Sequence, residues 1–202
     1  MLACVPSRGA ITYAGHATVL IEMGEARLLT DPLLRGHLLG LLRRHSGVDR
    51  EALGRVDGVL ISHLHRDHVD FASLRQLGRS VPILVPPGST RSFARRGFEN
   101  VSELAPGETA TLAGVEVRAV EAQHDGGRMF GFGGSGVVGY VVDGPSRVYW
   151  AGDTALFEGM RDLGADLDLA LLPIWGWGPS LGSGHLDPED AARALQMLRP
   201  RL

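Results

Sequence analysis

Asp57-Gly58-Val59-Leu60-Ile61-Ser62 runs directly into His63-Leu64-His65-Arg66-Asp67-His68, and the junction between the two decides the fold. The first stretch is a short apolar run of the kind that forms a buried strand. The second places four ligand-type side chains, His63, His65, Asp67 and His68, within six residues. Residues two apart in an extended segment point the same way, so His63 and His65 can grip one ion. Asp67 and His68 lie past the turn and can face a neighbouring ion. Neutral imidazole and carboxylate suit zinc or a similar divalent metal. A solvated, charged loop would tolerate these residue types, but it gives no reason to gather them all at one strand end.

Two further segments repeat the placement. Val115 to Gln123 is strand-like and ends in His124, before Asp125-Gly126-Gly127. Val148-Tyr149-Trp150-Ala151-Gly152 ends in Asp153-Thr154. One such histidine or aspartate would ordinarily be a turn residue or helix cap. Three strand ends that each deliver a ligand are hard to explain as turns alone, and Asp153, with two oxygens, could bridge two ions.

The rest of the chain supplies a frame. Ile11 to Glu22 reads as a hairpin broken at Gly15, and Arg27 to Thr30 as a third strand ended by Asp31-Pro32. Leu33 to Arg44 is leucine-rich but interrupted by Gly36 and Gly40, so a poor helix and a folded-over loop both remain open. Asp70 is a plausible N-cap for a helix through Leu77. Val81 to Val85 is a strand closed by Pro86-Pro87, followed by a short helix around Ser89 to Arg96. A meander follows over Glu108 to Leu112, Val115 to Ala122, Gly136 to Val142 and Arg147 to Ala151, and Leu167 to Pro173 is a further strand. Asp187-Pro188 opens a last helix to Leu198, with Pro188 suited to the first helical position. Strands with helices laid between them predict a layered α/β domain.

Composition narrows the function. With 202 residues the chain can bury one substantial core. A net charge of −3 offers no basic field for nucleic acid, so no nucleic-acid partner is expected. The single cysteine, Cys4, excludes an internal disulfide and a cysteine-based metal site, which fits a reducing, cytoplasmic setting. Met1 to Arg8 does not read as a secretory leader. No apolar run reaches the roughly 18 residues of a membrane helix. Nothing in the sequence speaks to oligomeric state.

The motifs together resemble the metallo-β-lactamase superfamily, and more narrowly the branch of N-acylphosphatidylethanolamine-hydrolysing phospholipase D and the ascorbate-6-phosphate lactonases. The matching stretches are Gly15-His16-Ala17-Thr18, Leu29-Thr30-Asp31-Pro32, the His63 to His68 cluster, His124, Ala151-Gly152-Asp153-Thr154 and Gly184-His185-Leu186-Asp187-Pro188-Glu189. They span nearly the whole chain in the family's order. The resemblance implies a single domain over residues 1–202, a four-layer αββα sandwich with metals at one edge. It implies that His63, His65 and His124 hold a first ion, that Asp67 and His68 hold a second, and that Asp153 bridges. It implies two ions per chain, zinc first, with Mn2+ or Fe2+ as the other candidates. The family's further histidine beyond His185 has no counterpart before Leu202, so the domain is expected to be short of its C-terminal strand and helix and its second metal position weakened.

Two ions roughly 3.5–4 Å apart can share a water and lower its pKa toward neutrality. The expected function is therefore a metal-dependent hydrolase of a small-molecule phosphodiester, lactone or amide; the alternative is a weakly active or non-catalytic one-metal relative. A metal-dependent oxidoreductase or sulfur-transfer enzyme is a third class that the superfamily hosts. Asp67 is assigned to orient and deprotonate the water, with simple ligation as its plainer role. His185 is placed near the site, to bind the oxyanion or protonate the leaving group, against a plain packing role. For His16, a buried hydrogen bond and substrate contact stay open. Asp31 reads as a turn-former. Trp175 and Trp177 could wall the pocket or pack in the core, and Phe130 and Phe132 could form a lid. Leu33 to Leu42 either packs on the body or forms an apolar entrance for membrane, lipid or partner.

Overall fold

In the computed structural model of the chain, residues 9–38, 42–43, 48, 50–124, 136–164, 166–174 and 184–202 are described. Its strands are β1 (Ala10–Gly15), β2 (Thr18–Met23), β3 (Ala26–Thr30), β4 (His37–Leu38), β5 (Leu42–Arg43), β6 (Gly58–Leu60), β7 (Ile83–Val85), β8 (Val101–Glu103), β9 (Thr109–Leu112), β10 (Val115–Glu121), β11 (Val138–Asp143), β12 (Arg147–Trp150) and β13 (Leu169–Leu171). The helices are α1 (Phe71–Leu77), α2 (Thr90–Ala94), α3 (Met160–Leu163) and α4 (Pro188–Leu198).

One sheet runs β1-β2-β3-β6-β7-β8 and the other β13-β12-β11-β10-β9. The first is antiparallel up to β3 and parallel from there on. The second is antiparallel except for β12 against β13. Strand periodicity assigns each face. Leu60, Val117, Ala119, Tyr140, Val142 and Trp150 point between the sheets and form the central core. Val59, Ile61 and Ile83 point the other way, against Phe71, Leu74 and Phe93 of α1 and α2. Val141 and Tyr149 face outward against Met160 and Leu163 of α3 and Ala191, Ala194 and Leu198 of α4. These are the four layers of an αββα sandwich.

Leu33 to Arg44 folds over so that β4 and β5 pair antiparallel, and its described residues form no helix. Gly36 and Gly40 interrupt any helical run. Leu33 and Leu34 are buried in the body, Leu34 against Leu20, Leu29 and Leu53. They therefore cannot serve an apolar entrance, and the leucines from Leu38 to Leu42 have side chains outside the described residues. At the other end, α4 closes with Arg199 in the left-handed conformation. Leu202 then lies on β13, donating its N–H to Asp168 O and accepting from Ala170 N, the alternation of a parallel ladder. Among the described residues no helix is long and apolar enough to cross a membrane.

Helix α1 begins at Asp70, whose carboxylate accepts from Ser73 N at 3.1 Å and Ser73 Oγ at 2.6 Å. Arg35 grips the same carboxylate with Nε at 2.8 Å and a terminal nitrogen at 2.6 Å. Burial alone would raise the Asp70 carboxyl, but the hydrogen bonds from Arg35 and Ser73 outweigh it and hold the group below its ordinary range. A carboxyl lower in the folded than in the unfolded chain stabilises above its unfolded value of ~3.9 and loses that contribution as pH falls through the folded value. Asp70→Ala is therefore expected to cost about 1–2 kcal/mol at pH 7. The difference from wild type should shrink in acid. Urea unfolding at pH 7 and pH 3 measures both; an equal deficit at the two values would remove the carboxylate from the explanation.

Candidate metal centre

The ligand-type residues converge on one edge of the sandwich because four strands end there. β6 delivers Ser62 to His68, β3 delivers Asp31, β10 delivers His124 and β12 delivers Asp153. The two sheets are stitched at this edge: Tyr140 donates its hydroxyl to Ile61 O at 3.0 Å, and Val138 N donates to Ser62 O at 3.0 Å. The loops bearing His124 and Asp153 are laced together. Gln123 N donates to Thr154 Oγ1 at 2.9 Å, and Ala155 N to Gln123 O at 2.7 Å. Gly152 adopts a φ of 61° and sits where a Cβ would come within 2.5 Å of Ser62 Cβ, so a side chain there would push the two loops apart.

Two adjoining clusters result. In the first, His63, His65 and His124 each offer a ring nitrogen within a 4.8 Å span. His124 Nε2 lies 3.3 Å from His65 Nδ1. In the second, His68 Nε2 lies 3.5 Å from Asp67 Oδ2 and 3.0 Å from Asp153 Oδ2. The rings of His63 and His68 are 4.2 Å apart, so the clusters adjoin. Asp153 also reaches His185, whose Nε2 is 3.6 Å from Asp153 Oδ2. His63, His65, Asp67, His68, His124, Asp153 and His185 thus all lie at this edge, together with His16, and the structure adds Asp31.

Asp31 is no mere turn-former. It is fully buried, with a φ of 27°. Its Oδ1 accepts from Ser62 N at 2.9 Å, and its Oδ2 accepts from Ser62 Oγ at 2.6 Å and His68 Nδ1 at 2.6 Å. Because the Ser62 hydroxyl donates to Asp31, it must accept from His63 Nδ1, 2.9 Å away. One carboxylate therefore fixes the tautomer of a histidine in each cluster, directly for His68 and through Ser62 for His63. His124 Nδ1 donates likewise to Gly184 O at 2.8 Å. The sequence carried a signal for Asp31: like His124 and Asp153, it directly follows a buried strand.

Hydrogen bonds at the outward nitrogens leave the inward ones aimed into the site. His63 Nε2 is buried with no hydrogen-bond partner, and His68 Nε2 faces the carboxylates of Asp67 and Asp153. Such an orphan is costly unless something occupies the space it faces. Tetrahedral zinc with ligands at ~2.1 Å holds its ligand atoms about 3.4 Å apart. The spacings of 3.3 Å in the first cluster and of 3.5 and 3.0 Å in the second fit that requirement. The donor set, imidazole and carboxylate without thiolate, suits a divalent cation such as zinc.

The electrostatics agree. Burial holds His63 well below the usual imidazole range, with the neighbouring His68 adding to the effect. Burial also lowers His124. Both are therefore neutral, with a lone pair to give. Burial would also lower His68, but the carboxylates of Asp153, Asp67 and Asp31 outweigh it and hold the imidazole well above its usual range. Burial would raise Asp67, but His68 and His16 keep it strongly depressed. Asp153 is held well below the carboxylate range against its burial, first by His68 and then by His185. The Asp153 carboxylate raises His185.

His16 sits at the β1–β2 turn with Nε2 3.1 Å from Asp67 Oδ2, which makes the hydrogen-bond reading the observed one. A cavity of about 610 Å³ opens beside it, lined by His16, Trp150, Asp153, Leu171, Pro173 and Ile174 among others. Phe130, Phe132, Trp175 and Trp177, expected as lid or wall, lie outside the described residues.

The profile of the beta-lactamase superfamily domain matches residues 26–202. A UPF0173 metal-dependent hydrolase of Opitutus terrae is 38% identical over 200 residues, covering 95% of this chain and 81% of that protein. An uncharacterized protein of Mycobacterium tuberculosis is 33% identical over 202 residues, but the chain spans only 54% of its length. Among solved structures, a metallo hydrolase of the hyperthermophilic archaeon Ignicoccus hospitalis superposes with a TM-score of 0.75 at 25% identity, covering 95% of this chain and 79% of that one.

Proposed function

We infer a metal-dependent hydrolase from the premise that this chain belongs to the beta-lactamase superfamily, whose profile it matches over residues 26–202. The observation that carries the reading is the pair of adjoining clusters in which the outward nitrogens of His63, His68 and His124 are hydrogen-bonded and the inward nitrogens converge on one another and on Asp67 and Asp153. His63, His65 and His124 would hold one ion, Asp67 and His68 a second, and Asp153 both. Ions bound there supply Lewis acidity and a nucleophile at neutral pH; zinc suits the donor set, with manganese and iron as the other candidates.

The chain's own groups then divide the work. Asp67 accepts a hydrogen bond from the attacking water and sets its direction. Lying beside both His16 and His68, the same carboxylate is placed to take the water's proton as well. His185, raised by Asp153 and half-buried at the rim, holds a proton to give to the leaving group or to the developing oxyanion. The cavity beside His16 and Asp153 takes the substrate.

A phosphodiester, lactone or amide is the substrate class in view, supported by the resemblance of the motifs around His16, Asp31 and His185 to a phospholipase D and to lactonases. Bis-p-nitrophenyl phosphate and simple lactones, assayed on chain reconstituted with zinc, manganese or iron, test it together with metal analysis. Turnover should fall by about 10²–10⁴ in Asp67→Asn. Full metal content without turnover of any substrate would leave a non-catalytic metal-binding relative instead.

A further inference from the structure

We propose that the cavity beside His16 and Asp153 selects substrates whose cleaved group carries an apolar substituent, with Tyr13, Ile174 and Leu195 forming the wall that grips it. The inference rests on the metal-hydrolase reading above, and it names a feature of the substrate which that reading leaves open.

Four large apolar side chains stand exposed among the described residues: Tyr13 at 70%, Ile174 at 61%, Leu195 at 43% and Leu202 at 83%. Single exposed side chains of this kind are ordinary. Three of these four, however, line one cavity, together with Trp150, Leu171 and Leu172. Apolar side chains gathered at one place and left open to water mark a binding surface. The volume of about 610 Å³ lies within the ~300–1,000 Å³ that takes a small organic molecule. Among the described residues that line it, only His16, Asp153 and the Tyr13 phenol are ionisable, and none carries an amide or a hydroxyl on an aliphatic chain. A charged or strongly polar substituent would find no partner along this wall.

The topology explains why the cavity is apolar along its wall and polar at its end. β1 and β13 are edge strands, one in each sheet. Tyr13 is two residues past Ile11 and shares its face toward the central core, yet it remains exposed. β13 runs parallel to β12 with Leu171 opposite Trp150. The Trp150 indole is stacked on Tyr140, with planes 6° apart, so this part of the wall is rigid. Leu195 follows Ala191 by one turn of α4, and both face the cavity. Two segments run from this wall into the metal edge, Tyr13 to His16 and Trp150 to Asp153. A molecule that fills the cavity with its reacting group at His16 and Asp153 lays the rest of itself on Tyr13, Ile174 and Leu195.

The competing occupant of the patch is a second copy of the chain, and the test separates the two. Straight-chain alkylphosphonates, from methyl to hexyl, are titrated by calorimetry into zinc-loaded and EDTA-treated chain. The phosphonate is an anion that a metal ion can hold, and only the tail varies along the series. On zinc-loaded wild type, affinity should rise about two- to fourfold per added methylene. Ile174→Asp and Leu195→Asp, both at exposed positions, should flatten that rise while the chain keeps its bound zinc; Ile174→Leu should preserve it. EDTA should weaken every member of the series by a similar factor and leave the rise in place. A flat series on zinc-loaded wild type would overturn the proposal, and so would a rise that survives both aspartate variants. A wild type that sediments as a dimer and separates in Ile174→Asp would overturn it as well, giving the patch to a second copy. Equal affinity with and without zinc would overturn the metal reading itself and this inference with it.

Discussion

Asp31→Ala is expected to lower zinc affinity at both positions by about 10–100-fold, although Asp31 is not proposed to touch an ion. The substitution strands His68 Nδ1, Ser62 Oγ and Ser62 N, which all now meet this carboxylate. Freed of that partner, His68 can carry its proton on either nitrogen, and Ser62 can turn away from His63. Removing one member of a buried ionic pair typically costs about 3–5 kcal/mol, and Asp31 and His68 are both fully buried. The metal-free protein should therefore melt well below wild type. Asp31→Asn keeps the shape but turns one acceptor into a donor, so it should fall between the two. Zinc titration and thermal melts on the chelated chain measure both effects. Wild-type affinity and melting in Asp31→Ala would show that the histidine tautomers are set elsewhere.

Asp31 also marks where the sequence stops being legible. The His63 to His68 cluster could be read because ligand spacing is local: a strand, then six residues that contain the turn. His124 and Asp153 could be read because each follows an apolar run long enough to be recognised as a buried strand. Asp31 follows such a strand too, but Asp-Pro is also a common turn dipeptide, and only the parallel pairing of β3 with β6 brings it beside Ser62. His16 had two open roles for the same reason, since its partner Asp67 is 51 residues away. The elements that escaped were short ones. β8 has three residues and α3 has four, too few for either period to show. β4 and β5 are two residues each, too short for any period to show.

Chelation should destabilise the chain more at pH 8 than at pH 6. Zinc held at about a thousand times its dissociation constant adds ~4 kcal/mol to folding. For a domain of this size that is roughly 8–16 °C of melting temperature. The pH dependence follows from His68. Without metal, the carboxylates of Asp153, Asp67 and Asp31 overcome its burial and raise it well above the usual range, so it is an imidazolium at neutral pH. A raised group stabilises fully below its unfolded value of ~6.5 and loses that contribution as pH rises through the folded value. An ion at the second position must displace that same proton. Its affinity should therefore climb about tenfold, or ~1.4 kcal/mol, per pH unit until the folded value is reached. His63 and His124 are lowered and already neutral, so they add no proton of their own. Asp67 and Asp153 are ionised throughout. The gap in melting temperature between zinc-loaded and EDTA-treated chain should thus widen from pH 6 to pH 8. His65→Ala, which removes a nitrogen of the first cluster, should narrow that gap by lowering the zinc-loaded melting temperature. A gap that closes as pH rises would mean that His68 does not meet the ion, and melting unaffected by EDTA at pH 8 would mean that no ion is held at this edge.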